Sequence, residues 1–418
     1  MTETAVPTYT LAERDRRWDL ARSFMDREGF DALIVVGEHE DAGPAPYYLD
    51  TWFTNDRPGT VVVFPRNGEP VALGLVSTFL NDHMDALHRG DAWWIRPENF
   101  RAGGRRSDGI ADVLVEHGLA KATIGVLGLD PYPPAQPEGL IPYGLWTDVL
   151  ARFPGAEFVA ADAGFTKLTA QLSDEELAVV RHSAAIGEAM AQAMVAAAAP
   201  GVAENEVYAA GMAVAHRRGA VAPAMHFRSG PEPAGWGPPP WAYRPQAPRV
   251  LREGDVIVTE TFCNFGMRTS QHQLTIAIGE VHEDFERGAE VARECYAAGM
   301  RTLLPRHRFG EVADAMYAPV ESAGGWVRGP QIHAINPFGA LCGFPADFSQ
   351  VPGSERYHEV PAAPTLGGDL VLEPGMTFAF EPNCGFGRRV VTVGGTVIVG
   401  EAGPIELNPG TAQLLRAG

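Results

Sequence analysis

Two carboxylates stand in runs where a charge is costly to bury. Glu381 closes the apolar strand-like run TFAFEP and precedes Pro382, and Glu260 lies inside VIVTETF. A carboxylate in such surroundings needs a partner or a function to justify it. A third group, His272 in TSQHQLTI, alternates with Leu274, Ile276 and Ile278, which places it on the apolar face of its strand. Imidazole is the side chain best matched to acid–base work near neutral pH, and a neighbouring carboxylate would fix its tautomer. The alternative reading of His272 is a satisfied core histidine. Between Gly230 and Pro248 the chain is dense in Pro, Gly, Trp and Tyr. Trp241, Tyr243 and Arg244 in that stretch suit an aromatic pocket with one cation, matched to a flat or zwitterionic substrate that bears a carboxylate. They suit a packed surface loop equally well.

The elements that must position these residues are legible from periodicity. LAERDRRWDLARSFMDREG, from Leu11, puts Leu11, Trp18, Ala21 and Met25 on one helical face and ends at Gly29. DALIVV (31–36), TVVVF from Thr60, PVALGLV from Pro70 and TIGVLGL from Thr123 read as buried strands with helical patterns between them, a mixed α/β domain. After Phe165 the pattern changes. Ser173 and Glu176 form a capping-box signature that opens a long amphipathic helix, which stops at Pro200-Gly201. A second helix, ENEVYAAGMAVAHRRG, ends at Gly219. Strand-like runs follow (VAPAMHF, DVIVTETF, QLTIAI, TFAFEP, RVVTVGGTVIVG), with helical runs near 281–301 and 308–323. The second domain is therefore α+β, two pairs of helices feeding an antiparallel sheet. The Pro-rich stretch 230–248 supports neither a helix nor a central strand and reads as an ordered loop. The expected boundaries are 1–165 and 166–418.

Bulk properties narrow the function. A chain of 418 residues exceeds what one hydrophobic core usually supports. The formal charge of −19 argues against nucleic acid and anionic membranes as partners. MTETAVPTYT lacks a basic n-region and an apolar core, so no secretory signal is expected. AMAQAMVAAAAPGVA is too short and too weakly apolar to span a bilayer. Cys263, Cys295, Cys342 and Cys384 form no CxxC pair, which points to buried thiols and a cytoplasmic protein.

With the elements in order, the chain resembles the creatinase, Xaa-Pro peptidase (aminopeptidase P) and methionine aminopeptidase family. Six segments carry the resemblance in register: LTAQLSDEELAVVRHSAAI, PGVAENEVYA, FRSG, LREGDVIVTETFCNFG, LEPGMTFAFEPN and GGTVIVGEAGPIELNP. It implies a pita-bread C-terminal domain behind a smaller creatinase-like α/β domain. Peptidases of this family hold two metal ions on two Asp, one His and two Glu; paired cations need bridging carboxylates and convert bound water to hydroxide. Carried over residue by residue, the first Asp falls on Glu260, the second on Ser270, the His on His333 in QIHAINPFG, the first Glu on Glu381 and the last Glu on Gly394. Three of five ligands remain, too few anionic donors for a cation pair; a mononuclear site on Glu260, His333 and Glu381 is the most that the set supports.

Creatinase supplies the metal-independent precedent, and its catalytic base lies in the loop before the GD strand. No histidine stands in that loop here. His272 takes a glutamate's place in the matching strand, and His226, in AMHFRSG, falls near a substrate-facing position. A second family histidine would fall on Ala340 and is missing. YYLDTWF, which contains Phe53, is similar to the segment that in creatinase caps the neighbouring subunit's site, so the resemblance implies a homodimer.

The resulting expectation is a metal-independent enzyme without a cofactor that acts on a C–N bond of a small amino-acid-like substrate, by hydrolysis or elimination. Glu260, His272, His333 and Glu381 are its expected catalytic groups. His226, Trp241, Tyr243, Arg244 and Phe53 are its expected substrate contacts. Two readings compete with it: a metal-dependent Xaa-Pro dipeptidase or aminopeptidase with altered ligands, and a catalytically inactive peptidase-like binding module.

Overall fold

The structure is a computed structural model, and it describes residues 6–37, 49–56, 58–74, 78–104, 106–130, 140–222, 225–343, 348–358 and 364–417. The chain divides into two compact units, one of Thr8–Thr169 and one built on Ala170–Gly418.

The first unit is a six-stranded mixed sheet with helices. In chain order its elements are α1 (Leu11–Glu28), β1 (Ala32–Val36), α2 (Leu49–Thr54), β2 (Val61–Pro65), β3 (Val71–Gly74), α3 (Thr78–Arg89), β4 (Phe100–Ala102), α4 (Ser107–Glu116), β5 (Thr123–Leu127), α5 (Tyr143–Arg152), β6 (Glu157–Ala160) and α6 (Asp162–Thr169). The sheet order is β4-β3-β2-β1-β5-β6, with β1 antiparallel to β2 and parallel to β5. Strands β1 and β2 are buried along their whole length, which is why ALIVV and VVVF are continuous apolar runs without alternation. Gly29 ends α1 in the left-handed conformation, with its N–H on the Met25 carbonyl.

Phe53 lies in the core of this unit. It is 0% exposed, stacked on Phe165 and set edge-on against Phe64. This corrects its expected role as a substrate contact: every face of the ring is spent on packing. Of YYLDTWF, Tyr47 and Tyr48 lie outside the described residues.

The second unit begins with α7 (Asp174–Ala197) and α8 (Glu204–Arg217). The capping box of α7 forms as its sequence predicts: the Ser173 hydroxyl accepts from the Glu176 N–H at 3.2 Å, and the Glu176 carboxylate accepts from the Ser173 N–H at 2.9 Å. Then come β7 (His226–Gly230), β8 (Val256–Phe265), β9 (Arg268–Ile278), α9 (Glu283–Thr302), α10 (Phe309–Ala323), β10 (Ile332–Ile335), β11 (Phe338–Cys342), β12 (Thr377–Phe380), β13 (Asn383–Phe386), β14 (Arg389–Thr392), β15 (Thr396–Gly400), β16 (Gly403–Glu406) and β17 (Leu415–Ala417). Among the described residues they form sheets ordered β17-β9-β8-β7 and β11-β10-β12-β15-β16, and the hairpin β13-β14. Pairing is antiparallel as expected, except that β17 runs parallel to β9. Between Gly230 and Pro248 the chain makes only a short 3₁₀ turn at Pro240–Ala242, so the Pro-rich stretch is a loop.

The long hairpin β8–β9 carries the chemistry. Its register pairs Glu260 with Gln273, Thr261 with His272 and Phe262 with Gln271. Side chains alternate across a strand, so residues 260, 262, 271 and 273 share one face and 261, 270, 272 and 274 the other. The second face packs on α7. There the Ser183 hydroxyl donates to the Cys263 carbonyl at 2.7 Å and lies 3.3 Å from the Ser270 hydroxyl. Among the described residues no helix is long and apolar enough to cross a membrane, and Cys263, Cys295 and Cys384 are buried free thiols.

Candidate active site

The first face of β8–β9 meets the end of β12 and the strand β10, and three buried side chains converge there. Glu260, His333 and Glu381 each offer a ligand atom, and those atoms lie within 4.8 Å of one another. His333 comes from β10, whose register with β12 sets it opposite Ala379, two residues before Glu381. Its Nδ1 sits 2.7 Å from the Ala334 carbonyl and its Nε2 3.4 Å from Glu381 Oε1. The first contact assigns the proton to Nδ1 and leaves Nε2 as the acceptor that faces Glu381.

Glu260 is held by a ring of donors. Trp236 Nε1 donates to its Oε2 at 2.5 Å, His226 Nδ1 lies 3.1 Å from the same oxygen, and Gln271 Nε2 donates to Oε1 at 2.7 Å. Gln271 Nε2 also reaches Glu381 Oε2 at 3.2 Å, and Gln273 Nε2 donates to that oxygen at 2.6 Å. One side-chain amide therefore bridges the two carboxylates. Glu381 Oε1 makes no hydrogen bond among the described residues.

These surroundings drive the two carboxyl groups apart. Burial alone would raise both. At Glu260 that penalty is overcome by the positive character and hydrogen bond of His226, with His333 and Trp236 adding to it, so its pKa falls below the usual carboxylate range. At Glu381 burial is reinforced by the negative charge of Glu260, and its pKa rises well above the range despite Arg328 and Gln271. The two shifts run in opposite directions, Glu260 toward the ionised form and Glu381 toward the protonated form, a division that suits an acid and a base drawn from one pair. His333 is pushed down by burial, which the Ala334 carbonyl and Glu260 only partly offset.

His272, expected among the catalytic groups, is not in this cluster. It is 0% exposed on the α7 face of β9, against Gly187, where a Cβ would overlap the imidazole. Burial lowers its pKa to about 4, and its ring nitrogens make no well-formed hydrogen bond among the described residues. It is a neutral core residue, as its alternation with Leu274 and Ile276 suggested. The loop residues are displaced as well. Tyr243 is 73% exposed, Arg244 is exposed, and Trp241 packs edge-on against Tyr208. The indole that enters the site is Trp236, five residues earlier in the same loop, seated on Gly329 so closely that a Cβ there would strike its ring. His226 lies on strand β7 directly opposite Glu260, with 31% of its side chain exposed.

Gln271, Gln273 and Arg328 are not among the residues expected from the sequence. The pair Gln271/Gln273, two polar residues with period two inside a buried strand, carried a readable signal; the spacing was assigned to Ser270 instead, which the structure turns toward α7. Arg328 carried none, since it lies in the irregular segment between α10 and β10. Its backbone N–H is pinned to Asn383 Oδ1 at 2.6 Å, and the Asn383 amide holds the carbonyls of Pro330 and Glu381 at 2.9 and 3.0 Å. The guanidinium stands 5.5 Å over the Trp236 ring.

A pair of metal ions, the centre that the family resemblance implies, does not fit these residues. Where a bridging carboxylate is needed, Gln271 turns amide protons toward both glutamates. Gly394 has φ 130° and abuts the Phe380 carbonyl so closely that no side chain fits there. A guanidinium supplies positive charge to the cavity, and most carboxylate lone pairs are already committed.

Residues 178–401 match the model for metallopeptidase family M24. Among curated proteins, the methionine aminopeptidase of Haemophilus influenzae is 26% identical over 152 residues, 36% of this chain and 52% of that one. A probable dipeptidase PepE of Mycobacterium tuberculosis is 28% identical over 162 residues, 38% of this chain and 39% of that one. The chain thus spans about half, or less, of the curated relatives it matches. Among solved structures, dipeptidase PepE from Mycobacterium ulcerans has a TM-score of 0.70 at 19% identity and covers 98% of this chain and 99% of its own. The prolidase of Pyrococcus horikoshii has a TM-score of 0.69 at 15% identity, with 96% and 99% covered.

Proposed function

From a chain that belongs to metallopeptidase family M24 and has its pita-bread fold, we propose an activity that departs from metal-dependent peptidases: hydrolysis of a C–N bond in a small amino-acid-like substrate by His and Glu groups, with no metal ion in the chemical step. The observation that carries this reading is the Gln271 amide bonded to both Glu260 and Glu381, the place where a cation pair requires an anion.

In this reading His226 is the base. Its Nδ1–H donates to ionised Glu260, which fixes the tautomer and stabilises the imidazolium that forms. Its Nε2 takes a proton from water as the water oxygen attacks the carbon. The C–N bond then breaks, and protonated Glu381 delivers its proton to the departing nitrogen. Passage of the His226 proton to Glu381 through solvent restores both groups. Trp236, Gln271 and Gln273 hold the carboxylates in place, and His333 Nε2 stands 3.4 Å from Glu381 Oε1. Elimination would use the same pair, with His226 taking a carbon-bound proton; an unsaturated product identifies it. A homodimer and a cytoplasmic location belong to this proposal through the family resemblance and the cysteine usage.

A second reading is carried by the 4.8 Å convergence of Glu260, His333 and Glu381, which suits one divalent cation and a peptidase assignment. Metal analysis of the purified protein separates the two, together with turnover of N-substituted amino acids and Xaa-Pro dipeptides before and after chelation. Substoichiometric metal with turnover unchanged by chelator is the expected result. Stoichiometric metal with turnover lost on chelation, and restored by one cation, establishes the second reading.

A further inference from the structure

Arg328 is 9% exposed and, among the described residues, its guanidinium makes no hydrogen bond or ion pair. Such an arrangement is uncommon, because arginine has five N–H donors and stays charged, so a buried guanidinium ordinarily spends them on a carboxylate. Two carboxylates are near enough to act on it electrostatically, yet neither takes its protons. Glu260 is already served by Trp236, His226 and Gln271, and Glu381 by Gln271 and Gln273. Burial lowers the Arg328 pKa to about 10, which leaves it cationic at neutral pH.

The guanidinium is also built in rather than loose. Asn383 pins the backbone on which it sits to the turn that carries Glu381. Trp236 lies beneath it and closes on Gly329. A planar fork held this way presents unspent donors to the cavity, the geometry that recognises a carboxylate by two parallel hydrogen bonds.

We infer that Arg328 anchors a free carboxylate of the substrate, so that the site accepts N-substituted amino acids and rejects the corresponding amides. The inference rests on the proposed reading only in assuming that this cavity holds the substrate; it is independent of whether a metal takes part.

Binding tests it without turnover. The full-length protein is titrated with a set of N-acetyl amino acids and, in parallel, with their carboxamides, with Trp fluorescence and ligand-observed NMR as readouts. At least one acid is expected to bind at least about 100-fold more tightly than its amide. Arg328→Gln is expected to abolish that preference while leaving amide binding within about threefold, and Arg328→Lys, which keeps the charge but not the fork, to retain about a tenth of it. Thermal unfolding of each variant reports whether it is folded; should Arg328→Gln fail to fold, Arg328→Lys carries the comparison. The inference is overturned if no acid in the set outbinds its amide, or if the preference survives in Arg328→Gln or is undiminished in Arg328→Lys. Failure of metal independence would appear instead as turnover lost on chelation, with the acid preference intact.

Discussion

Glu260 and Glu381 are the same residue type in one cavity, and only their neighbours separate them. Glu260 accepts from an indole, an imidazole and an amide; Glu381 accepts from two amides and faces Glu260's charge. The active form needs Glu260 ionised and Glu381 protonated. Activity therefore falls on the alkaline side as Glu381, whose pKa is raised, loses its proton. Glu381→Gln should lower kcat by about 10²–10⁴-fold and remove the alkaline limb only, which a pH–rate profile reads directly. Stability follows with a defined sign. A raised carboxyl contributes stability that is fully present below the unfolded-state value, roughly 4.3, and is lost as pH rises through the folded-state value. The depressed Glu260 contributes above roughly 4.3 and loses its contribution as pH falls. Thermal unfolding of Glu381→Gln should consequently lose less stability than the parent between mildly acidic and alkaline pH. An unchanged slope would show that Glu381 is not the group held protonated.

At the scale of elements, the alternation of β9 decides which residues do chemistry. Gln271 and Gln273 face the carboxylates while Ser270 and His272 face α7, so an error of one residue reverses a role. His272 and Gly187 form a packed pair: the glycine is the only residue whose side chain leaves room for the imidazole. Gly187→Ala should destabilise the protein by about 1–3 kcal/mol through overpacking. In combination with His272→Ala the cost should be less than additive, because the smaller side chain clears the overlap. Chemical denaturation of the four proteins measures the coupling, and full additivity would remove the contact from the account. His272→Gln should also keep kcat within about threefold, if α7 rather than the substrate is what the ring touches. The helices and most strands are legible in the sequence because caps and periods are local; α7 opens at its capping box and α1 ends at its glycine. Glu260, Glu381 and, through the family resemblance, His333 are legible as well. Trp236 and Arg328 are not, because a loop indole and a buried guanidinium leave no periodic trace. Their placement depends on partners 24 residues away for Trp236 and 55 for Arg328, reached through hydrogen bonds that no propensity encodes.

At the scale of the whole molecule, the two units differ in what they contribute. The aromatic cluster of Trp18, Phe24, Trp52, Phe53, Phe64 and Phe165 and the aliphatic cluster of Ile34, Val61, Val63, Leu73, Ile110, Leu114 and Val126 are drawn entirely from Thr8–Thr169. The clusters around Met190, Phe227 and Ile276 and around Phe309, Phe378 and Phe380 are drawn entirely from Ala170–Gly418. Among the described residues each of these clusters is drawn from one unit alone, a physical condition that favours independent folding. Every side chain assigned to the site, from His226 to Glu381, also belongs to the second unit. Residues 170–418 expressed alone should therefore fold and unfold in one cooperative thermal transition, with near-UV circular dichroism of ordered tryptophans. They should also bind the N-acetyl amino acid preferred by the full chain within about tenfold of its affinity, since Arg328, Trp236 and Asn383 are all retained. If the isolated unit instead shows no cooperative transition, its stability requires the first unit despite its closed core. If it folds but binds at least a hundredfold more weakly, the carboxylate anchor described for Arg328 is only part of the recognition.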